Sequence, residues 1–563
     1  MKELSILITG PAGSGIQTIE NLLCRIFKEM GLHTFATKEY MSRVRGGANT
    51  TTIRISEERV DAFSERIDIL LSLDRNGIDR IQYRIGEDTL IFGDVGKNRN
   101  RNFEIDFVKI AEKIGNKIYA NTVAVGFILG IIQKGKEIGE EIISGIFNNK
   151  GQEILDKNID ALSEGYLTGI RLANSINFNF TIKESEEVKK ESFFNGAVAI
   201  GIGSIIGGCN FVSSYPMTPS TPVFSFLAQN AKDFNIIVEQ AEDEIAAINM
   251  VLGSLYAGGR GFVTTSGGGF ALMVESLSLA GMTESPIVLH LAQRPGPATG
   301  LPTRTEQSDL LFALFAGHGE FPRIILSPGD LYEGIFLTAN AFNLADRYQI
   351  PVIILSDQYF IDSYYNIPVP EIANFNIEYA FSINTDRDYK RYQLTDDGIS
   401  IRGIPGGDGF VCVDSDEHNE EGHITEDREI TRLMVEKRNR KLKTFIDSKT
   451  FIDSKIIRPS FYGSSDYEIL LISWGSTKNT VIEAVKPLNN IGYLSLPIVY
   501  PLPDIKDYIK KSKKTIIIEN NYTSQLAKLI RMETGIEIKE KILKYDGHPF
   551  SVEEIQKELG EKI

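Results

Sequence analysis

A chain of 563 residues is long enough to bury several cores and is expected to hold three or four domains. Its 75 Asp and Glu outnumber 60 Lys and Arg, and the net charge of −15 argues against a nucleic-acid partner. No run approaches about 18 uninterrupted apolar residues, and Met1-Lys2-Glu3-Leu4-Ser5-Ile6 enters a strand pattern without a signal-type segment, so a cytoplasmic protein without membrane spans is expected.

The first block runs from 1 to about 180. Ile6-Leu7-Ile8-Thr9 reads as a strand, Gly10-Pro11-Ala12-Gly13-Ser14-Gly15 as a glycine turn, and Ile16 to Met30 as an amphipathic helix. Strand-like runs follow at Ile67–Leu73 and Thr89–Phe92, so the block suits a doubly wound sheet. Glycines at such a turn expose backbone N–H groups to an anion, and Arg43 and Arg45 would add charge to Gly13, Ser14 and Gly15. The same glycines also serve simply to close a βα unit, and their spacing is not G-x-G-x-x-G. The polar stretch Ile182 to Lys190 then reads as an exposed linker, placed at 181–191.

The second block, 192–440, again alternates strands with helices. A Pro-punctuated loop, Ser214-Tyr215-Pro216-Met217-Thr218-Pro219-Ser220-Thr221, follows an apolar run. Glu239-Gln240-Ala241-Glu242-Asp243-Glu244 places carboxylates at the head of an apolar helix, Ile245 to Tyr256, expected to be largely buried. A carboxylate in that first turn gains from the helix dipole; the alternative is that the cluster only caps and solvates a helix start. Val263-Thr264-Thr265-Ser266-Gly267-Gly268-Gly269-Phe270 reads as a buried strand running into a glycine turn that opens another helix. In the loop Arg294 to Asp309, Arg304 sits in the polar tail, where a guanidinium fork would hold a carboxylate. Arg294 is its rival, and a salt bridge from Arg304 to Glu306 or Asp309 is the structural alternative.

Between the second and third blocks, at 441–460, lies a second linker. There Thr444-Phe445-Ile446-Asp447-Ser448-Lys449 is repeated at once as Thr450–Lys455, which suits a tolerated duplication better than a repeat fold. The third block, 461–563, holds strand-like Glu468–Gly475 and Lys514–Glu519 and reads as a smaller α/β domain.

Only Cys24, Cys209 and Cys412 occur, far apart, so no four-cysteine cluster can be built within the chain. Cys24 and Cys412 are expected as buried small hydrophobes. The run Asp416 to Asp427 holds His418 and His423 among many carboxylates, a composition that favours a solvated loop over a metal site.

The motifs at 214–221, 239–247 and 263–270, in that order, resemble the pyrimidine-binding domain of thiamine-diphosphate-dependent 2-oxoacid:ferredoxin oxidoreductases. The resemblance extends over nearly the whole chain. The first block, with Gly13-Ser14-Gly15 and Ser42-Arg43-Val44-Arg45-Gly46-Gly47, is similar to the gamma domain of these enzymes, here fused ahead of the alpha subunit as in 2-oxoglutarate-type members. The third block resembles a transketolase C-terminal domain. The resemblance implies an α/β protein of several doubly wound domains, with Glu244 as the carboxylate that drives the aminopyrimidine to its reactive tautomer, since it stands nine residues before Gly253 as in the family. It implies Thr218 and Arg304 at the 2-oxoacid, and Tyr215, Pro216, Thr265, Ser266 and Gly267 around the pyrimidine side of the cofactor. Met217 stands where the family usually has Ile, and Gly268 where it has Pro; neither removes a chemical group. Gly407-Asp408-Gly409 has half of the diphosphate signature but follows the loop-like Arg402-Gly403-Ile404-Pro405-Gly406, and Asn439 sits in a basic run, so it is set aside.

The diphosphate, its Mg2+ and a four-iron–four-sulfur cluster are therefore expected in a beta subunit, with no metal site in this chain. Ferredoxin as electron acceptor, coenzyme A as co-substrate and a dimer of heterodimers complete the implied assembly. The implied reaction is oxidative decarboxylation of a 2-oxoacid, with the fused layout favouring 2-oxoglutarate. A non-oxidative thiamine enzyme would need both cofactor halves in one sequence. A non-catalytic coenzyme A-binding scaffold would have no need of Glu244, Thr218 and Arg304.

Overall fold

The computed structural model describes residues 2–41, 48–96 and 101–563. The chain forms two compact units, residues 1–194 with 362–370, and residues 195–361 with 371–563. Among the described residues no helix is long and apolar enough to cross a membrane.

The first unit is built on an eight-stranded sheet in the order Asn102–Glu104, Leu90–Gly93, Ile69–Ser72, Glu3–Pro11, Ala48–Ser56, His33–Glu39, Tyr364–Ile367 and Ser192–Asn195. The strands from Asn102–Glu104 to Glu3–Pro11 are parallel, as a doubly wound sheet requires. From there to Tyr364–Ile367 the pairing is antiparallel. The eight residues 40–47 that join His33–Glu39 to Ala48–Ser56 are too few for the crossover that parallel pairing needs. The helix Ile16–Glu29 packs its apolar face on this sheet, burying Ile19, Leu23, Ile26 and Phe27. The stretch read as an exposed linker carries the short helix Glu186–Lys189, with Ile182 and Val188 buried.

The second unit contains a seven-stranded sheet in the order Ile498–Tyr500, Ile324–Leu326, Val352–Asp357, Val288–Gln293, Gly261–Thr265, Phe211–Ser214 and Ile237–Gln240. All of its pairings are parallel except that of the edge strand Ile498–Tyr500. That edge strand comes from the block read as the third domain. The same block forms a five-stranded sheet of its own, Ser460–Gly463, Ile491–Leu496, Ile469–Trp474, Lys514–Glu519 and Glu540–Leu543. Its Leu470, Ile472 and Trp474 share one apolar core with Phe270, Met273 and Leu289 of the larger sheet, so two sheets are built around a common interior.

The tandem hexamer is helical, ending the helix Arg428–Ile446 and supplying Lys449–Asp453. Phe445 is buried and Phe451 packs edge-on against it, with ring centroids 5.1 Å apart, so both copies place their aromatic ring on the same surface. Cys24 and Cys209 are buried, whereas Cys412 is only half-buried. The run Phe410–Val413 looks like a strand by composition, but it pairs with none and leaves Phe410 exposed.

Candidate active site

The strands Val288–Gln293, Gly261–Thr265, Phe211–Ser214 and Ile237–Gln240 lie side by side and parallel, so their C-terminal ends share one edge. Each ends at a motif singled out in the sequence: Arg294, Ser266, Tyr215 and the Glu242–Glu244 cluster. Motifs scattered over 80 residues of chain meet there because parallel strands deliver the loops that follow them to one side of the sheet.

Glu244 is the first residue of the helix Glu244–Tyr256, and the residue before it does the capping. Asp243 accepts the Ala246 N–H at 2.7 Å, which leaves Glu244 free of that task. Glu244 is 3% exposed, and its Oε1 is buried with no hydrogen-bond partner. Glu242 is exposed. Burial of a carboxylate oxygen without a partner is costly, which marks it as held ready for a ligand donor. The rest of this helix is less covered than its composition suggests. Ile245, Met250 and Tyr256 stay exposed because only one face rests on the neighbouring strands and on the helix Gly267–Met282.

The glycine turn completes a cradle around that oxygen. A Cβ at Gly269 would stand 2.2 Å from Thr265 Oγ1 and 2.6 Å from Glu244 Oε1, so only glycine permits this approach. A Cβ at Gly267 would stand 2.5 Å from Asp309 Oδ2. Ser266 Oγ and Asp309 Oδ2 are likewise buried and unpartnered. Burial, with Glu306 adding to it, pushes the Asp309 carboxyl up to about 6. Gly268 points a Cβ position into open space.

Thr218, half-buried in the loop after Ser214, is met from Arg294, whose Nη1 donates to the Thr218 carbonyl oxygen at 2.7 Å. Arg294 Nε is buried with no partner. Tyr215 is exposed, and Ser220 donates from its N–H and its hydroxyl to the Met217 carbonyl, which sets the loop. Arg304 stands further along its loop, its N–H on the Leu301 carbonyl and its stem against Gly547. The loop is pinned by Gln307, whose Nε2 donates to the Trp474 carbonyl at 2.8 Å while its Oε1 accepts the Asn520 N–H at 3.0 Å. Thr305 adds bonds to Asp357 and to the Gly547 carbonyl. The smaller sheet therefore fixes the arginine loop, a role that sequence reading did not assign to it. Gln307 and the buried Oδ2 of Asp309 also escaped that reading, which took Asp309 only as a salt-bridge alternative for Arg304; an Asp directly before the apolar run Leu310–Phe315 was the available signal.

In the first unit, Gly13 and Gly15 adopt φ of 87° and 86°, which forms the expected turn, and the helix that follows has no side-chain cap. Thr9 Oγ1 and Ser14 Oγ near it have no partner. Arg43 and Arg45 lie outside the described residues. Gly407-Asp408-Gly409 sits in a turn after the two-residue strand Arg402–Gly403, not at the end of a buried strand. His418 is buried against Tyr392, with ring centroids 3.9 Å apart, and among the described residues no group of three metal-ligand side chains occurs.

One edge of this α/β sheet thus gathers an unpartnered buried glutamate, a glycine cradle and a contact from Arg294 to the Thr218 backbone. Residues 202–437 match the family described as pyruvate flavodoxin/ferredoxin oxidoreductase, thiamine diphosphate-binding, and residues 5–168 match pyruvate ferredoxin/flavodoxin oxidoreductase. A 2-oxoacid:ferredoxin oxidoreductase alpha subunit of Sulfolobus is 32% identical over 99% of this chain and 96% of its own length. The 2-oxoglutarate synthase subunit KorA of Methanothermobacter thermautotrophicus is 30% identical over 65% of this chain and 97% of its own. The solved 2-oxoglutarate:ferredoxin oxidoreductase of Magnetococcus marinus, with 2-oxoglutarate, coenzyme A and succinyl-CoA bound, superposes with a TM-score of 0.92 at 31% identity, each chain fully covered. The chain belongs to the 2-oxoacid:ferredoxin oxidoreductase alpha-subunit family, a family of oxidoreductases, with the gamma-like block at its N-terminus.

Proposed function

We propose that this chain holds the aminopyrimidine half of thiamine diphosphate in a complex that converts a 2-oxoacid and coenzyme A to an acyl-CoA and CO2, releasing two electrons and one proton. 2-Oxoglutarate is the favoured substrate, in keeping with what the Magnetococcus enzyme binds and with the name of the Methanothermobacter relative. The observation that carries the reading is Glu244 Oε1, buried, unpartnered and facing the Gly269 cradle. Thiamine diphosphate, when bound, supplies the carbanion chemistry that decarboxylation of a 2-oxoacid requires.

Glu244 hydrogen-bonds a ring nitrogen through Oε1 and stabilises the form in which that nitrogen carries the proton, at a position that Thr265, Phe270 and the glycine turn shield from water. Ser266 Oγ offers a further hydrogen bond at the same edge. Thr218 and an arginine fork orient the substrate carboxylate; Arg304 is the proposed anchor, and Arg294 is the guanidinium that already touches the Thr218 loop. Tyr215 and Pro216 form the rim. The Gly13–Gly15 turn is proposed to receive a coenzyme A phosphate at the uncapped start of the helix Ile16–Glu29.

The diphosphate, Mg2+ and a four-iron–four-sulfur cluster are assigned to a beta partner, and ferredoxin to the role of electron acceptor. The test is to purify the chain alone and with that partner. The chain alone is expected to be colourless and inactive, and the pair to reduce ferredoxin only when 2-oxoacid and coenzyme A are both present. A brown chain with visible cluster absorbance and no second polypeptide overturns the division of labour.

A further inference from the structure

At the foot of the helix that Glu244 heads, beside the N-terminal ends of the strands Gly261–Thr265 and Val288–Gln293, the second unit holds a cavity of about 240 Å³. Thirteen residues of helix at about 1.5 Å each set it about 20 Å from Glu244. Its apolar wall is Leu252, Leu255, Leu279, Pro286 and Val413, and two arginines, Arg391 and Arg402, stand among them. Both guanidinium groups are tied to that wall. Arg402 Nη1 donates to the Leu255 carbonyl at 2.9 Å, and Arg391 Nη2 to the carbonyl of Thr283, another lining residue, at 3.3 Å. Arg402 Nε is buried with no hydrogen-bond partner.

The buried charge around this cavity is out of balance. Arg402 and Arg260 share the Asp346 carboxylate, and Lys437 and Lys441 share that of Glu284. Arg391 is held by neutral acceptors, the Gln349 side-chain oxygen and the Thr283 and Glu284 carbonyls. All seven of the charged residues named are 4% exposed or less, so five buried cations stand against two buried carboxylates, and the excess stays positive even where Lys441 is neutral. Asp414 also lines the cavity, but its carboxylate accepts the Asp416 N–H at 3.0 Å and so serves its own loop. Uncompensated buried positive charge is costly, and an anion in the cavity would offset it.

We infer that this cavity is a binding site for a small organic anion, a carboxylate carrying a short apolar chain, with its head on Arg402 and Arg391 and its chain against Leu252, Leu279 and Pro286. An apolar pocket with a few convergent polar groups is the usual form of a small-molecule site. The inference stands apart from the proposed function, because no residue of the cavity belongs to the Glu244 cradle, the Thr218 loop or the Arg304 loop.

The probe is hexanoate, which lacks the 2-oxo group of the proposed substrates, titrated calorimetrically into the full-length chain and followed in parallel by thermal unfolding. One site per chain is expected, with a Kd on the order of 10⁻⁴ M and an unfolding midpoint that rises with hexanoate concentration. Hexanol has the chain without the charge and sulfate the charge without the chain, so each should bind at least about tenfold more weakly. Arg402→Lys should weaken hexanoate by about tenfold or more. Val413→Trp, at an exposed position of the lining, should shut it out, and Arg304→Lys should leave its affinity unchanged. The inference is overturned if the wild type shows no saturable binding up to about 10 mM, or if hexanol or sulfate binds as tightly as hexanoate. Full affinity in Val413→Trp overturns it even where Arg402→Lys does not fold, and so does loss of binding in Arg304→Lys, which would put hexanoate at the proposed substrate anchor instead.

Discussion

Arg294 Nη1 donates to the Thr218 carbonyl oxygen at 2.7 Å, joining two loops 76 residues apart in sequence at the C-terminal ends of two strands of one sheet. This contact makes Arg294 and Arg304 experimentally separable. Arg304 is the proposed carboxylate anchor; Arg294 holds the threonine loop and still offers Nε to a ligand. A lysine cannot copy a planar two-donor fork, and a lost charged hydrogen bond costs about 1.5–3 kcal/mol, or roughly ten- to more than a hundredfold in affinity. Arg304→Lys should therefore raise KM for pyruvate, 2-oxobutyrate and 2-oxoglutarate alike. If Arg304→Lys leaves KM unchanged while Arg294→Lys raises it uniformly, the anchor is Arg294. Impairment of Arg304→Lys with 2-oxoglutarate only would mean that this arginine reads the distal carboxylate.

Glu244→Gln should abolish turnover in the reconstituted complex, by on the order of 10²-fold or more for a missing acid–base group, with the fold intact. Glu242→Gln, at an exposed position, should leave it near normal. Asp243→Ala should lower stability by about 1 kcal/mol through the lost cap and affect turnover less than Glu244→Gln. Parallel measurements of turnover and thermal unfolding on the three variants decide the assignment; an active Glu244→Gln enzyme would sink it.

How much of this was legible beforehand follows from the range of the interactions involved. Glu244 heading an apolar helix, and the glycine turn after Thr265, are local patterns of a few residues, and both appear where the sequence put them. The division between Asp243 as cap and Glu244 as open carboxylate was not legible, because it depends on which of three adjacent acids meets the Ala246 N–H. Pinning of the arginine loop by Trp474 and Asn520 spans more than 160 residues, and no periodicity carries such a contact. The strand Tyr364–Ile367 illustrates the same limit: it lies in the middle of the chain yet joins the sheet of the first unit, paired with His33–Glu39. The exposed face of the Glu244 helix was misread because composition alone says that a helix is apolar, not how much of it is covered.

Neighbouring glycines in the cradle should respond in opposite ways. Gly268 is the second residue of the helix Gly267–Met282, and nothing lies within 4 Å of a Cβ built on it. A first-turn helix position tolerates proline, and the preceding Gly267 has no Cβ for the ring to strike. Gly268→Pro is therefore expected to keep activity and to gain about 0.4–1 kcal/mol by restricting the unfolded chain. Gly269→Ala instead drives a methyl into Glu244 Oε1 and Thr265 Oγ1 and should cost most of the activity. A destabilised Gly268→Pro, or a fully active Gly269→Ala, would show that the cradle is looser than described.

Glu284 carries the last prediction, which concerns stability and not catalysis. Its carboxylate is 1% exposed and binds two lysines of the helix Arg428–Ile446: Lys437, whose Nζ lies 2.8 Å from Oε1 and from Oε2, and Lys441, one turn on. Burial alone would push this carboxyl up, but Lys441 and Lys437 outweigh it and hold it well below the ordinary value of 4.5. A carboxylate with a depressed folded value contributes stability that is fully present above the unfolded value and is lost as pH falls below it. Glu284→Gln leaves the buried Lys437 ammonium without its counter-charge and takes away the carboxylate that keeps a proton on Lys441, so a loss of about 3–5 kcal/mol is expected at pH 7. Lys441 adds a second window. Burial lowers it from 10.5 to about 7, so the unfolded chain binds the extra proton between those values and wild-type stability should rise with pH across them. Denaturant unfolding of both proteins across pH provides the check. The gap between wild type and Glu284→Gln should stay wide down to about pH 4.5 and then narrow, because below that value Glu284 of the unfolded wild-type chain takes up a proton that the folded carboxylate still refuses; a gap that stays constant to pH 3 would mean that the carboxylate charge is not what holds the two lysines in the core.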